Sequence, residues 1–539
     1  MAKLTLFRSF LRSRCRSTYP VFELDRDIHT NYSYTKNEGN RRFISKDRAS
    51  TTSRTDGRTH ATEIITLPAK AGGNKSFQTG EFPDQMKVAK VSPIYKSKDK
   101  CDLTNHRPIS LLPTFSKIFE KLVHCRLYKY LQKYDILFQS QYGFREGHST
   151  VDAITEFTSH VMNAFNQNKM TLSVFLDLSK AFDTIDHSIL LHKLEHYCVR
   201  GLALKWFESY LFQRKQYVVY KNNASDMLSI DCGVPQGSVL GPLLFIIYSN
   251  DLPKSVKICK TILFADDTTL FHSGCDKKQL FTDMRNDLTL LIDWFRANKL
   301  SLNISKTNYV LFNHNSKNMD NTKYILQFGT EQIESKPYVK FLGILIDENL
   351  SFKFHAAQII SKLSSSLYIM NSVKRFLPLD VRLTLYYSFF LSHLSQGILI
   401  WGPLINNWHL NRIMVQQKKA VRIIKKVSYN AHTDPLFQEL NIIKIHDLID
   451  LEILKLMYKV YANKTAQPII NLFSSGNTWH NYHTRHCNDP QFHQRRHNIT
   501  LSKSFLCKGP TLWTHISSNL KNSANIKIFT KNVRKCIKN

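Results

Sequence analysis

The sequence predicts an α+β fold, and three observations predict it. An apolar, β-type run at 172–178 reaches Asp177, and a helix-like stretch follows it. Two short β-type runs flank the acidic pair Asp266–Asp267 in ILFADDTTLF (262–271). Apolar residues at helical spacing fill long segments elsewhere, FSKIFEKLVHCRLYKYLQKY (115–134) being the clearest upstream example.

The remaining elements follow in order. Ser149 or Thr150 is placed to cap a helix running through VDAITEFTSHVMNAF. Helices are expected at 187–197 and 202–212. YVVYKN (217–222) and MLSIDCGV (227–234) read as a β pair leading into a Gly- and Pro-containing loop. An apolar helix is expected at 239–250. Residues 351–430 read as largely helical and Lys-rich. The region 431–539 contains further helices, with LIDLEILKLMYKVYANK (448–464) the most regular. No internal repeat is present.

Three acids at strand ends suggest chemistry. Two divalent cations about 3.5–4 Å apart can activate a hydroxyl and stabilise a leaving pyrophosphate. Mg²⁺ prefers oxygen ligands and is usually held by one or two carboxylates plus substrate phosphates. Asp177 is far in sequence from Asp266 and Asp267, so the expectation is that adjacent antiparallel strands of one sheet bring them together. Any one Asp by itself would be read as a turn or helix cap.

The bulk properties agree with a polyanionic partner. The chain has 539 residues, 74 Lys and Arg against 42 Asp and Glu, and a formal net charge of +32. Such a surface binds phosphates and releases their counterions. A basic protein with no ligand, or one that meets anionic membranes, is the alternative. The ten cysteines are scattered without a CxxC, which argues against a disulfide framework or a zinc ribbon and for a reducing compartment. The stretch HNYHTRHC (480–487), with His493 and His497, offers zinc-type side chains, but zinc is not expected there. No apolar run approaches the length of about 18 residues needed to span a bilayer. The best candidate, LTLYYSFFLSHLSQGILIW (383–401), is broken by Ser, His and Gln and reads as a buried helix.

Residues 1–20 are Arg- and Ser-rich and lack acids, a composition shared with mitochondrial transit peptides. A residual segment ahead of the main domain is the preferred reading, and residues 21–75 are expected to be disordered or linker.

The motif set resembles that of reverse transcriptases of non-LTR retrotransposons, the jockey-like or LINE-type group. FLDLSKAFDTIDH is similar to palm motif A, GVPQGSVLGPLLF to motif B, and FADD to the acidic motif C. Upstream, FPDQMKVAKVSPIYKSKDK, NHRPISLLPTFSKIFEKLV and QSQYGFREGHST resemble the fingers. Downstream, WFRANKLSLNISKT resembles motif D and KFLGILID the primer grip. His106 stands where the family often has an aromatic residue.

The resemblance implies a right-hand polymerase. Fingers and palm would span 76–340, primer-grip hairpin and helical thumb 341–430, and a helical, basic C-terminal region 431–539, after a residual segment 1–75. It implies an RNA-directed DNA polymerase working on an RNA template, a DNA primer or target and dNTPs. Two Mg²⁺ ions, with Mn²⁺ as the substitute, would be held by Asp177 and Asp266 with the Leu178 carbonyl, and Asp267 would support the second ion or the primer end. Arg107 would hold the triphosphate, with Lys96 or Lys98 adding charge. Phe182 would exclude a 2′-hydroxyl. Gln236 and Gly237, in a loop shaped by Pro235 and Gly241, would meet the nucleotide. Lys306, with Lys299 as its rival, would protonate pyrophosphate. Phe341, Leu342 and Gly343 would support the primer terminus.

Many family members carry an endonuclease ahead of the polymerase, and about 80 residues cannot hold one, so a truncated copy or part of an element is expected. Two alternatives stay open. One is a related polymerase of different template or product, such as an RNA-dependent RNA polymerase, an intron maturase or telomerase. The other is an inactive, nucleic-acid-binding relic. The expected location is the nucleus or cytoplasm, without a membrane anchor.

Overall fold

The computed structural model describes residues 75–96, 99–221, 223–314, 324–475, 489–492 and 498–538. The transit-like N-terminus, Lys98 and the histidine-rich stretch 480–487 with His493 and His497 lie outside the described residues.

In chain order the principal elements are β1 (Val88–Tyr95), β2 (His106–Leu111), α1 (Thr114–Lys133), α2 (Thr150–Asn166), β3 (Met170–Leu176), α3 (His187–His196), α4 (Leu202–Leu211), β4 (Arg214–Tyr220), β5 (Asn223–Ala224), β6 (Leu228–Ile230) and α5 (Gly241–Tyr248). There follow β7 (Lys260–Phe264), β8 (Asp267–Gly274), α6 (Lys277–Ala297), β9 (Asn308–Phe312), β10 (Leu326–Phe328), β11 (Glu331–Ser335), β12 (Tyr338–Phe341), β13 (Ile344–Asp347), α7 (Lys353–Val373), α8 (Asn407–Lys425), α9 (Ile445–Tyr461), α10 (Phe505–Thr514) and α11 (Ile526–Lys538). Several helices of one or two turns join them. The α+β class and the helical C-terminal region are as the sequence predicts.

The described residues fall into two compact units, each built from separated segments: those within Met1–Phe138, Leu178–Ser255 and Asp293–Ser301 in the first, and those within Gln139–Asp177, Val256–Ile292 and Leu302–Asn539 in the second.

The first unit holds a mixed sheet in the order β2-β1-β4-β5, with β6 also on β4. The predicted β pair is present as β4 with β5 and β6, all antiparallel. Its parallel pairing to β1, in which Val88 faces Lys215, is long-range and left no local signal. Pro108 is tolerated because β2 is an edge strand. Helix α1 buries Phe119, Val123, Leu127 and Leu131 along one stripe. Helix α5 is apolar on all sides and buries every residue but Pro242. It is shorter than the expected 239–250.

The second unit contains a six-stranded sheet in the order β10-β11-β9-β3-β8-β7. Strands β3 and β8 are antiparallel, with Met170 opposite Gly274 and Leu176 opposite Thr268. Helix α2 lies over this sheet. Ser149 caps it, its hydroxyl accepting from the Asp152 amide at 3.2 Å, and Asp152 in the first turn suits the helix dipole. Its Phe157 meets Phe175, Phe271, Phe312 and Phe341 at centroid distances of 5.5–5.7 Å. Truncating so buried a ring costs about 3–5 kcal/mol.

Beyond that sheet the unit has two two-stranded antiparallel pairs, β12 with β13 and Ser474–Ser475 with Pro490–Gln491, and is otherwise largely helical. A buried amide joins three of its segments: Gln417 donates to Tyr386 (3.0 Å) and to the Ile443 carbonyl (2.7 Å), and accepts from the Ile445 amide (3.0 Å). The segment 383–401 is not the single helix its apolar content suggests. A π-helical turn occupies Tyr386–Leu391, Gln396 is extended, and Gly397 adopts a left-handed φ of 59° before Ile398–Trp401 resumes. Among the described residues no helix is long and apolar enough to cross a membrane.

Candidate active site

The second unit brings Asp177, Asp266 and Asp267 to one end of two neighbouring strands. Asp177 is the first residue beyond β3. Its backbone is pinned from both sides: its amide donates to the Thr307 hydroxyl (3.4 Å) and its carbonyl accepts from the Asn303 amide (2.8 Å). Asp267 opens β8 and pairs with Phe264 at the end of β7, which leaves Ala265 and Asp266 as a two-residue hairpin turn. Ala265 takes a left-handed φ of 57° there. Because Leu176 faces Thr268 across the β3–β8 ladder, Asp177 and Asp267 leave the ladder side by side.

The electrostatics follow from the crowding. The Asp267 carboxyl is pushed up from 3.8 to about 6, first by burial, then by the charges of Asp266 and Asp177, with Lys306 opposing. The side chain still meets solvent, so this is a wet recess walled by protein rather than a sealed pocket. Lys306 places its ammonium 3.0 Å from Asp177 Oδ2. Its rival, Lys299, pairs instead with Asp186 at 2.5 Å in the first unit. A cleft of about 740 Å³ opens beside the carboxylates, lined by Asp177, Asp267, Lys306, Lys336 and Lys340 among others.

The KFLGILID hairpin forms another wall of that cleft. Strands β12 and β13 are antiparallel, and Leu342 (φ 46°) and Gly343 (φ 94°) make the turn. The Phe341 ring, 4% exposed, packs 5.5 Å from Phe157 and from Phe175. It therefore braces the hairpin from the core side. Asp347 ties the hairpin to α7, accepting from the Ser351 amide (3.0 Å), the Ser351 hydroxyl (2.8 Å) and the Phe352 amide (2.6 Å).

The first unit carries the remaining residues singled out by sequence. Leu178 is buried. Arg107 is exposed on β2 and has no salt-bridge partner among the described residues. The backbone amide of Lys96 donates to Asn105 and its side chain is exposed. Phe182 stacks on Phe245 with centroids 5.0 Å apart. Gln236 donates through Nε2 to both Asp183 carboxylate oxygens, at 2.9 and 3.0 Å, and its carbonyl accepts from the Ser110 amide at 2.8 Å. Gly237 follows with φ 115°, and a Cβ there would lie 2.9 Å from the Ser110 carbonyl oxygen.

Several contributors were not singled out by sequence. Asp183, whose carboxyl is pushed up by burial despite Gln236 and Lys180, orients Gln236. Glu120 is fully buried on α1; its carboxylate accepts from the Ser116 hydroxyl (2.9 Å) and from the Val239 (2.6 Å) and Leu240 (3.3 Å) amides, so it holds the turn that leads into α5 and supports the motif-B loop. Polar residues on a helix are ordinarily solvent-facing, so only packing reveals this one.

Among the described residues no cluster of three or more His, Cys, Asp or Glu forms a ready-made metal cage. The donor set nevertheless fits hard cations: oxygen ligands only, with one carboxyl pushed up by burial and by its two neighbouring carboxylates.

Residues 94–346 match the family "Reverse transcriptase (RNA-dependent DNA polymerase)". Over that stretch the chain carries a reverse transcriptase domain. The chain is 30% identical over 380 residues to the probable RNA-directed DNA polymerase from transposon X-element of Drosophila melanogaster, covering 68% of this chain and 41% of that protein. It is 26% identical over 409 residues to the RNA-directed DNA polymerase from mobile element jockey of the same fly, covering 74% and 44%. The homologues of this reverse transcriptase domain are thus polymerases of non-LTR retrotransposons. The chain spans about two-fifths of the length of these curated relatives. Among solved structures, a Candida albicans telomerase in complex with a fragment of telomeric RNA aligns over 71% of both chains, with 13% identity and a TM-score of 0.37.

Proposed function

We propose that this chain is an RNA-directed DNA polymerase of a non-LTR retrotransposon, adding dNTPs to a primer 3′-hydroxyl on an RNA template. The observation that carries the reading is the grouping of Asp177 and Asp267 at one cleft, with Asp266 in the adjoining turn and Lys306 paired to Asp177. Asp177, Asp266 and Asp267, with the Leu178 carbonyl, would hold two Mg²⁺ ions. Such ions, when bound, activate the attacking hydroxyl and neutralise charge on the transferring phosphate.

The chain's own residues then have distinct tasks. Asp177 holds the Lys306 ammonium at the cleft until a triphosphate draws it away. Lys306 Nζ would donate a proton to the departing pyrophosphate. The exposed Arg107 fork suits bidentate contact with triphosphate oxygens. The Phe182 ring, braced by Phe245, would underlie the sugar and reject a 2′-hydroxyl. Asp183 holds the Gln236 amide nitrogen, so its oxygen can meet the nucleotide, and Gly237 lets backbone approach closely. Fingers and palm correspond to 76–340, the primer-grip hairpin and helical thumb to 341–430, and a helical, basic region to 431–539. The +32 charge suits an RNA template and DNA primer, and the working site would be the nucleus or cytoplasm.

Primer extension tests the reading: purified protein, an RNA template with annealed DNA primer, dNTPs and Mg²⁺. Template-directed addition that disappears in Asp266→Ala, with duplex binding retained, is the expected result. Extension that survives Asp266→Ala would overturn the assignment of the site. Tight binding without extension by the unaltered protein would identify a catalytically inactive nucleic-acid-binding relic.

A further inference from the structure

The turn that carries Asp266 is gripped from outside the sheet. Ser140, Gln141 and Tyr142 run alongside the edge strand β7: the Tyr142 amide donates to the Leu263 carbonyl (2.8 Å), and the Leu263 amide donates to the Ser140 carbonyl (2.9 Å). Tyr142 is buried and its hydroxyl donates to Glu156 on α2, which anchors the segment. Gln141 is 2% exposed. Its Oε1 accepts from two backbone amides, Gly143 at 2.8 Å and Ala265 at 3.1 Å. Gly143 belongs to the same grip, since a Cβ there would lie 2.3 Å from the Ala265 nitrogen.

We propose that Gln141 is a positioning residue for polymerisation: its carboxamide oxygen, shared by the Gly143 and Ala265 amides, holds Ala265 in its left-handed conformation and so aims Asp266 and Asp267. The inference rests on the polymerase reading above and extends it to a residue outside the three acidic motifs.

A left-handed alanine costs free energy and persists only where surroundings over-determine it. The Ala265 amide lies in a two-residue turn, where no ladder partner is available, and a buried amide without an acceptor is costly. Gln141 supplies that acceptor and is itself held by flanking backbone bonds and by the anchored Tyr142. The two accepted bonds also fix the amide's orientation: Nε2 points away, is buried, and finds no partner among the described residues. The oxygen, not the amide as a whole, is therefore the working part.

That distinction sets the test. Gln141→Met keeps length and volume but removes the oxygen acceptor. Gln141→Glu, neutral in so buried a place, keeps a carbonyl oxygen at the same reach. Gln141→Asn stays polar but falls one methylene short, and it carries the same comparison if the Met variant fails to fold. Two readouts are needed: Mn²⁺ affinity by electron paramagnetic resonance titration of the full chain, and primer-extension kinetics with kcat separated from the KM for dNTP.

Loss of about two hydrogen bonds corresponds to roughly tenfold or more. The expected result is that Met and Asn weaken Mn²⁺ binding and lower kcat by about that factor, leave the dNTP KM within about threefold, and that Glu restores both. Met or Asn binding Mn²⁺ and extending primer like the unaltered protein would overturn the inference. So would Glu failing alongside Met, because packing and not the acceptor would then be what matters. If the unaltered protein binds Mn²⁺ but extends nothing, the polymerase reading fails while the Mn²⁺ comparison still decides the role of Gln141.

Discussion

Asp267 records what crowding carboxylates at one strand end does to a single group. Its folded pKa of about 6 stands above the ordinary 3.8 because burial and the neighbouring Asp266 and Asp177 charges penalise ionisation. For a raised acid, the contribution to stability is fully present below the unfolded value and is lost as pH rises through the folded value. The cation-free protein should therefore lose stability between about pH 4 and 6 through this group. Asp267→Asn should flatten that fall and raise stability at pH 7 by on the order of 1 kcal/mol, the effect being reduced by solvent screening. Urea melts in EDTA at pH 5 and pH 7 measure it, and an unchanged pH dependence in the variant would contradict the account. At this scale the sequence marked Asp177, Asp266 and Asp267 because acids that interrupt apolar runs stand out. It left Lys306 and Lys299 as rivals, and the structure puts Lys306 on Asp177 and Lys299 on Asp186. Gln141, Glu120 and Asp183 escaped because a polar side chain declares its partner only when packing supplies one.

At the scale of elements, the motif-B loop shows how a strand and a turn constrain each other. The Ser110 amide at the end of β2 donates to the Gln236 carbonyl, and Gly237 passes so near that a side chain would meet backbone. Gly237→Ala adds both a Cβ contact of 2.9 Å and strain at φ 115°, together costing about 1–3 kcal/mol. The expected outcome is a fall of tenfold or more in dNTP incorporation with RNA binding retained. Steady-state kinetics beside a filter-binding assay would check it, and unaltered incorporation would show that the loop relaxes freely. The helices with strong local signals, α2 with its Ser149 cap and α1 with its apolar stripe, appear where periodicity puts them, to within a residue or two. The 383–401 segment does not, since apolar content says that a segment is buried and not that it is continuous. Gln396 turns extended and Gly397 left-handed there, which separates Ser392–Ser395 from Ile398–Trp401.

For the whole molecule, charge is the dominant property. With a net +32, binding to an RNA–DNA duplex should be steeply salt-dependent. Each phosphate neutralised contributes a slope of about −0.9 in log K against log salt for B-form DNA, so six to ten contacts cost roughly 10³–10⁵ in affinity between 50 and 200 mM salt. A fluorescence-anisotropy titration over that range would show it, and a slope near zero would rule out a phosphate-tracking surface. The Asp266→Ala protein should share the slope of the unaltered one, because the carboxylates of the candidate site make no attractive contact with phosphate by themselves.

Local sequence was enough for the α+β class, the three acids, the motif order and the strongly positive net charge. Each of these is written in local periodicity, in residue chemistry or in a sum over the chain, none of which depends on long-range geometry. Packing alone settled which lysine meets Asp177, that β1 and β4 pair in parallel, that buried Glu120 binds the turn ahead of α5, and that Gln141 accepts from the Ala265 amide beside Asp266. Those are contacts between segments distant in sequence, and a contact of that kind exists only once packing has selected one arrangement from the many that local preferences allow.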